Sequence, residues 1–473
     1  MFSSTSRTHT HHPRGAILVV VLVLLATGLT IGSAIIGLAF STTQRGGRAV
    51  ARVAALHLAE SGIHYERWRL AHNPNDATDA PGDRVLALRD ATGRAAGTVT
   101  VAVGPPDVCT GRIRITSTAA PAAFPTSTRS INVTYARPSL AQYAYLTNTT
   151  LYFGGGGSVD GRIHANSGIR MDSGQNALAT SAVATYTCGA GHGCETSGES
   201  RPGVWGAGTG GTQGLWRFPF TPVPFAAITA DLKTLRDNAA ANGGVVLPPS
   251  GAYGYYLKFK SNGTVDIHRV TNLRRPIWSH DGTRWIYESH DLSGVPTIQR
   301  THTLPQETCG LGNLIVVEDN VWVDGIVKGR ATVVARFPPE QTTRLARIYL
   351  NGSLTLQDPQ QHAIGIIAQE DIRFPLVLPD VVNVAGVLIA QQGRIFRPYY
   401  PDTYQPWHVR PELHLSGSLI TNGVAVTAWI DRDGNVLSGF QSGTNTFDAR
   451  YTLNPPPYIP ALSEPTFMEW SER

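Results

Sequence analysis

From Ala16 to Phe40 the chain runs for twenty-five positions without a charge, rich in Val, Leu and Ile. At about 1.5 Å per residue, a helix of that length exceeds the roughly 30 Å hydrocarbon core of a bilayer and can span it with some tilt. From Gln44 to Leu70 the pattern changes. Val53, Leu56, Ile63 and Leu70 fall on one stripe, while Arg48, Arg52, Glu60, Glu66 and Arg67 lie elsewhere, as on an amphipathic helix. No proline interrupts the two halves, and the stop comes at His72-Asn73-Pro74-Asn75. One continuous helix over 16–75 is expected.

Beyond it the period falls to two. Gly97 to Val103, Arg112 to Ser117 and Arg129 to Tyr135 alternate apolar and polar residues, as half-buried strands do. They predict a small β domain over 76–140. From about Ala141 the strands shorten and glycine-containing turns separate them, as in Val159-Asp160-Gly161-Arg162-Ile163. Similar strings return at 314–317, 321–334, 348–356, 364–369, 384–390 and 413–420. The expected fold class is mainly β behind a long N-terminal helix. The region 141–460 is expected as an irregular β-solenoid, with a β-sandwich as the alternative. Residues 172–300 read as an insertion. It carries a helix over Thr229 to Ala241 with Thr229 as N-cap, and a hairpin turning at Ser261-Asn262-Gly263. Residues 461–473 read as a tail.

The segment Arg14-Gly15-Ala16-Ile17-Leu18-Val19-Val20, the apolar run and Ala54-Ala55-Leu56-His57-Leu58-Ala59-Glu60-Ser61-Gly62 resemble the N-terminus of PilX-type minor pilins. The resemblance covers about seventy of 473 residues. It implies a leader over 1–15 that a prepilin peptidase removes after Gly15, leaving a methylated Ala16 as the first mature residue. Most major pilins carry Glu at the fifth mature position and this chain has Val20, which points to a minor subunit, with a filament tip as its place. The implied partners are the inner membrane, other pilin subunits, the assembly machinery and the prepilin peptidase. The later β strings resemble exported domains found behind PilX-like helices, for which no activity is implied. Arg7 and Arg14 place the leader on the cytoplasmic side of a bacterial inner membrane, with the bulk of the chain exported, possession of a pilus making it extracellular. A plain signal anchor, in an envelope protein outside any filament, is the main alternative. A removed signal peptide is a weaker one: the apolar core is too long, although Gly37-Leu38-Ala39 is a small-residue pattern.

Composition adds limits. Charged residues are 15%, and the 49 glycines and 31 prolines mark a turn-rich chain. The net charge of +5 is spread without a dense basic run, so no nucleic-acid partner is expected. Cys109, Cys188, Cys194 and Cys309 form an even set in an exported context, which favours disulfides. Three pairings are open; bridging the Gly-rich loop Cys188 to Cys194 would leave Cys109 with Cys309. A metal site at Cys188, His192 and Cys194 has no standard zinc spacing.

Nucleophile elbow, zinc-helix and phosphate-loop motifs are missing, and Asp319, Asp324, Asp371 and Asp380 are scattered. No catalytic residue, cofactor or enzyme activity is therefore expected, an anchored carbohydrate-active enzyme or carbohydrate-binding protein being the second alternative. Asp431, Asp433 and Asn435 form a weak calcium candidate, but Ser442 stands where an EF-hand loop needs Glu, and an Asp-Gly hairpin turn reads better. Tyr399, Tyr400, Tyr404 and Trp407 could meet a surface, which makes surface glycans a further candidate partner.

Overall fold

A computed structural model of the chain describes residues 14–473 except 74–81, 156, 190–191, 195–197, 208–211, 226–230, 307–308, 339–343, 432 and 463. The described residues are mainly β, with one long N-terminal helix, and they form two compact units.

The helix, α1, spans Arg14–His72 without a break. Its end precedes Pro74, where the residue before proline disfavours helical backbone, and Arg69 and His72 complement the negative pole of the last turn. Apolar residues from Ile17 to Phe40 are exposed. The hydroxyls in this run, Thr27, Thr30 and Ser33, donate to carbonyls three or four residues back. No side-chain donor there is left needing water, which suits an apolar surrounding.

The downstream half packs on a sheet by a stripe that keeps Leu56, Ile63 and Leu70 of the expected one but replaces Val53 with alanines. Ala51, Ala55, Ala59, Ile63 and Leu70 are buried, while Val53 is exposed. Small residues win because they let the helix approach closely. A Cβ on Gly62 would sit 2.4 Å from Ser117 Oγ and 2.6 Å from Val99 Cγ1. Glu66, expected on the polar side, is fully buried and stands 3.3 Å from Arg69 Nε and 3.4 Å from Arg84 Nη1. Those two cations make its burial tolerable.

The sheet of unit 1 (1–106, 112–136 and 467–473) contains β1 Gly82–Arg89, β2 Ala95–Val103, β3 Ile113–Pro121 and β4 Arg129–Ala136, paired antiparallel in chain order. Val99, Val101, Ile115, Ile131 and Val133 alternate inward against Ala59 and Ile63. A fifth strand, Thr466–Glu472, adjoins β4, and beside it Ser130 and Arg473 exchange both backbone hydrogen bonds. The residues expected as a tail thus complete the sheet; of unit 2, residues 137–466 are inserted between β4 and this last strand, and residues 107–111 between β2 and β3. The local pattern hides this, since the pairing partners are more than three hundred residues apart.

Unit 2 is built on parallel ladders. In one, Val245, Ile315, Val333, Ile366, Leu388, Leu419, Tyr145, Ile163, Ala179 and Trp216 are successive register partners. All ten side chains belong to or pack against one core. The chain therefore starts mid-ladder at Tyr145–Thr147 and runs outward to Trp216–Arg217. It then restarts at the opposite end with Val245–Leu247 and winds back until Val409–Thr421 pairs with its own beginning. The other side of these strands is apolar too, through Val316, Val334, Ile367, Ile389, Ile420 and Leu146, and is covered by α2, Leu232–Ala241. Burial on both faces accounts for the continuous apolar runs in the sequence.

A second ladder places Val321, Ile348, Ile372, Ile395 and Ala425 inward, with Tyr256, Trp322, Tyr349, Arg373 and Phe396 on its other side. Gly386 and Gly417 are register partners with φ of +128° and +134°. There long strands turn a corner, and a side chain on Gly417 would lie 2.0 Å from the carbonyl oxygen of Gly386.

Two sequence expectations change here. Residues 172–300 are not a mere insertion, since Ala179–Ser181, Trp216–Arg217, Val245–Leu247 and Gly254–Lys260 all carry ladder pairings. Two- to four-residue strands in a Gly-rich texture give too few positions for a period to be read. The cap of α2 is Asp231, whose carboxylate accepts from the backbone of Lys233 and Thr234, and Thr229 lies outside the described residues. The Ser261-Asn262-Gly263 hairpin is present, joining Gly254–Lys260 to Thr264–Val270.

Candidate functional site

Gly15 and Ala16 lie at the N-terminal end of α1, while leader residues 1–13 lie outside the described residues. Among the described residues, α1 is the one helix long and apolar enough to cross a membrane, with mean hydropathy 2.6 in its most apolar stretch. A signal sequence would meet the same test of length and composition.

Both cysteine pairs are within unit 2. Cys109 is bonded to Cys309 and Cys188 to Cys194. The sulfurs that a Cys188–His192–Cys194 metal site would need are thus consumed. The Arg170 guanidinium braces the small loop, donating to the carbonyls of His192 and Gly193 from between the rings of Tyr152 and Trp205. At the calcium candidate, Asp431 Oδ1 accepts from the backbone of Asp433 and Asn435, and Oδ2 accepts from the Asn435 side chain. The Asn435 amide, then its backbone N–H, hold this carboxyl below the usual range. The geometry is a closed turn under the Ile430–Val436 pair.

The scattered aspartates have local duties. Asp319 caps Ser250, Asp324 accepts from Tyr256 and Asn351, Asp371 pairs with Arg373, and Asp380 pairs with Arg410. Among the described residues no group of three His, Cys, Asp or Glu is placed to hold a metal. Glu412, His414 and Thr444 do line up, with hydrogen-bond distances of 2.9 Å on both sides of the imidazole. They follow from cross-strand register, and Thr444 is exposed on the ladder's outer side.

The most distinctive surface is one that sequence reasoning half found. Ile277–His280 and Trp285–Glu288 form an antiparallel hairpin about Asp281-Gly282, pairing Trp278 with Tyr287 and His280 with Trp285. Alternation puts these four rings on one face. His280 and Tyr399 exchange both backbone bonds, adding Tyr399 to the row, and Trp429 packs edge-on against His280 and Tyr399. Tyr404 Oη accepts from the Trp278 backbone at 2.8 Å. Trp278, Trp285 and Tyr287 remain 51%, 50% and 58% exposed. Of the aromatics singled out from sequence, Tyr399 and Tyr404 join this face. Tyr400 is fully buried core, and Trp407 lies apart under Arg410. The missed signal was the Asp-Gly turn with aromatics at same-face positions on both sides.

Beneath the hairpin lies a charged network. Glu288 accepts from Arg373 at 2.7 Å and Arg347 at 3.2 Å, and Asp371 accepts from Arg373. Burial works against the Glu288 carboxylate, but the guanidinium charges of Arg373 and Arg347 hold its pKa below the usual range. Burial, then the charge of Arg373, push His290 down to about 3. His290 is therefore neutral in the folded protein, whereas in an unfolded chain it takes up a proton near 6.5. Between about pH 6.5 and 3 only the unfolded state binds that proton, so stability falls as the pH is lowered, by at most about 1.4 kcal/mol per unit. Urea unfolding of unit 2 followed by tryptophan fluorescence should show this slope, and His290→Gln should flatten it. An unchanged slope in the variant would refute the assignment.

No protein-family model matches the chain, and no curated protein matches it. Among solved structures it is similar to the competence-associated pilin ComZ from Thermus thermophilus, at 13% identity over 89% of this chain and 97% of that one, with a TM-score of 0.31. A likeness of that degree carries no argument about function.

Proposed function

We propose that this chain is a minor subunit of a type IV pilus or related secretion filament, made as a prepilin and held in the inner membrane by α1, with a tip position in the filament. The carrying observation is the division of α1: an exposed, uncharged half continues without a break into a half docked on an antiparallel sheet. A lone signal anchor has no need of the docked half. Val20, in place of the Glu of major pilins, favours a minor role. Unit 2 is read as an irregular β-solenoid presented by the pilin-like unit, supported by parallel ladders whose inward columns share one core. We assign it no catalysis: Asp319, Asp324, Asp371 and Asp380 each serve a separate local partner. The second reading, an envelope protein that stays outside filaments, draws on the same exposed helix.

Mass spectrometry of natively expressed protein should find N-methyl-Ala16 at the mature N-terminus. Gly15→Val should abolish processing, because the branched side chain blocks access to the backbone. An intact Met1 would leave only the anchor reading, and a start near Phe40 would make the apolar run a removed signal.

A further inference from the structure

We infer that the aromatic face of the 277–288 hairpin is a binding platform for a glycan chain bearing carboxylates. The inference does not depend on filament assembly.

The rings are set before any ligand arrives. The His280–Tyr399 backbone pair, the Trp278 N–H to Tyr404 bond and the Trp429 Nε1 bond to the Arg397 carbonyl fix the face from within. Trp285 meets Tyr399 edge-on at 6.0 Å, and Trp278 lies 5.1 Å from Tyr287. Little side-chain freedom is left to lose on binding. The two rows are two residues apart along the strands, roughly 7 Å, so successive rings of an extended chain can meet successive rows.

The chemistry on offer is one-sided. Trp205, Trp216, Trp322 and Trp429 spend their indole N–H inside the protein. Among the described residues, the indole N–H groups of Trp278 and Trp285 and the Tyr287 hydroxyl have no protein partner, although each ring is half exposed. Next in the chain to Trp285, at the turn of the hairpin, Arg284 has 77% of its side chain exposed and only a 3.9 Å approach to Asp281. The neighbouring acids are already engaged: Asp281 by Thr283, the Arg284 backbone and Arg394, and Glu288 by Arg373 and Arg347. The hairpin thus presents ring surfaces and free donors on this face and an exposed cation at its turn, with few acceptors. Its complement has flat C–H faces, many oxygen acceptors and negative charge, and a uronate-containing polysaccharide has all three.

The test is affinity electrophoresis of the detergent-solubilised full chain in native gels containing polygalacturonate or dextran. Polygalacturonate should retard the wild type and dextran should not. Trp278→Ala/Trp285→Ala should weaken retardation about tenfold or more. Arg284→Gln should weaken it severalfold and reduce its salt dependence. Tyr287→Phe removes one free hydroxyl without touching packing, so it decides the matter by a severalfold loss if the double variant misfolds. No retardation by polygalacturonate, equal retardation by dextran, or variants that bind like wild type would overturn the proposal. So would binding to envelope preparations that survives glycan digestion but not protease, which would assign the face to a protein partner.

Discussion

Gly62→Leu is expected to abolish the packing of α1 on its sheet and to destabilise unit 1 by about 3 kcal/mol, the upper end of ordinary overpacking costs. The reason is contact geometry. Even a single methyl at residue 62 would meet Ser117 Oγ, Val99 Cγ1 and Val101 Cγ2 at 2.4, 2.6 and 3.0 Å. Gly62→Ala should cost less, because the better helix propensity of alanine returns about 1 kcal/mol. Ser117 Oγ is buried without a hydrogen-bond partner, so Ser117→Ala should be close to neutral and should partly rescue Gly62→Ala. Gly46 is the control: nothing lies within 4 Å of its virtual Cβ, and Gly46→Ala should be neutral or slightly stabilising. Hydrogen exchange of the full chain in detergent reads the result, as lost protection in β2 to β4 and in the second half of α1. Retained protection in Gly62→Leu would show that the interface is not as close as described.

That interface also marks where sequence reading succeeds and where it stops. The extent of α1 is legible because an uncharged run and a 3.6-residue period are both local signals. Its buried stripe is legible only in part, since hydrophobicity favours Val53 over Ala51 and Ala55, whereas close approach to a sheet favours the alanines. β2, β3 and β4 are legible from alternation, with the core on their inward positions. The last strand is not, because Thr466–Glu472 shows no regular alternation of apolar and polar residues and only its distant partner β4 makes it a strand. The same limit applies to unit 2. Apolar runs such as Leu314–Val317 announce buried strands, but nothing local says that Tyr145 lies beside Leu419. For the aromatic face, Tyr399 and Tyr404 were visible only as members of an aromatic-rich stretch. What groups them with Trp278 and Trp285 is a backbone bridge across more than one hundred residues.

The second large effect is expected from the Cys109–Cys309 bond. It closes a span of 200 residues, against 6 for Cys188–Cys194. In the chain-entropy view a crosslink acts by restricting the unfolded state, and these spans correspond to about 5 and about 2 kcal/mol respectively. Residues 107–111 leave unit 1 between β2 and β3 and belong with unit 2, and this bond is the covalent reason they stay there. Replacing Cys109 and Cys309 with serine should therefore lower the denaturant midpoint of unit 2 markedly. Replacing Cys188 and Cys194 should shift it less than half as far and loosen the 188–194 loop that Arg170 braces. Non-reducing peptide mapping of the parent establishes the pairs, and urea titrations of the full-length variants, followed by tryptophan fluorescence, give the two shifts. Equal shifts, or a larger one for the short loop, would mean that native contacts rather than chain restriction set the worth of these bonds. In that case residues 107–111 should keep their hydrogen-exchange protection even with Cys109 reduced.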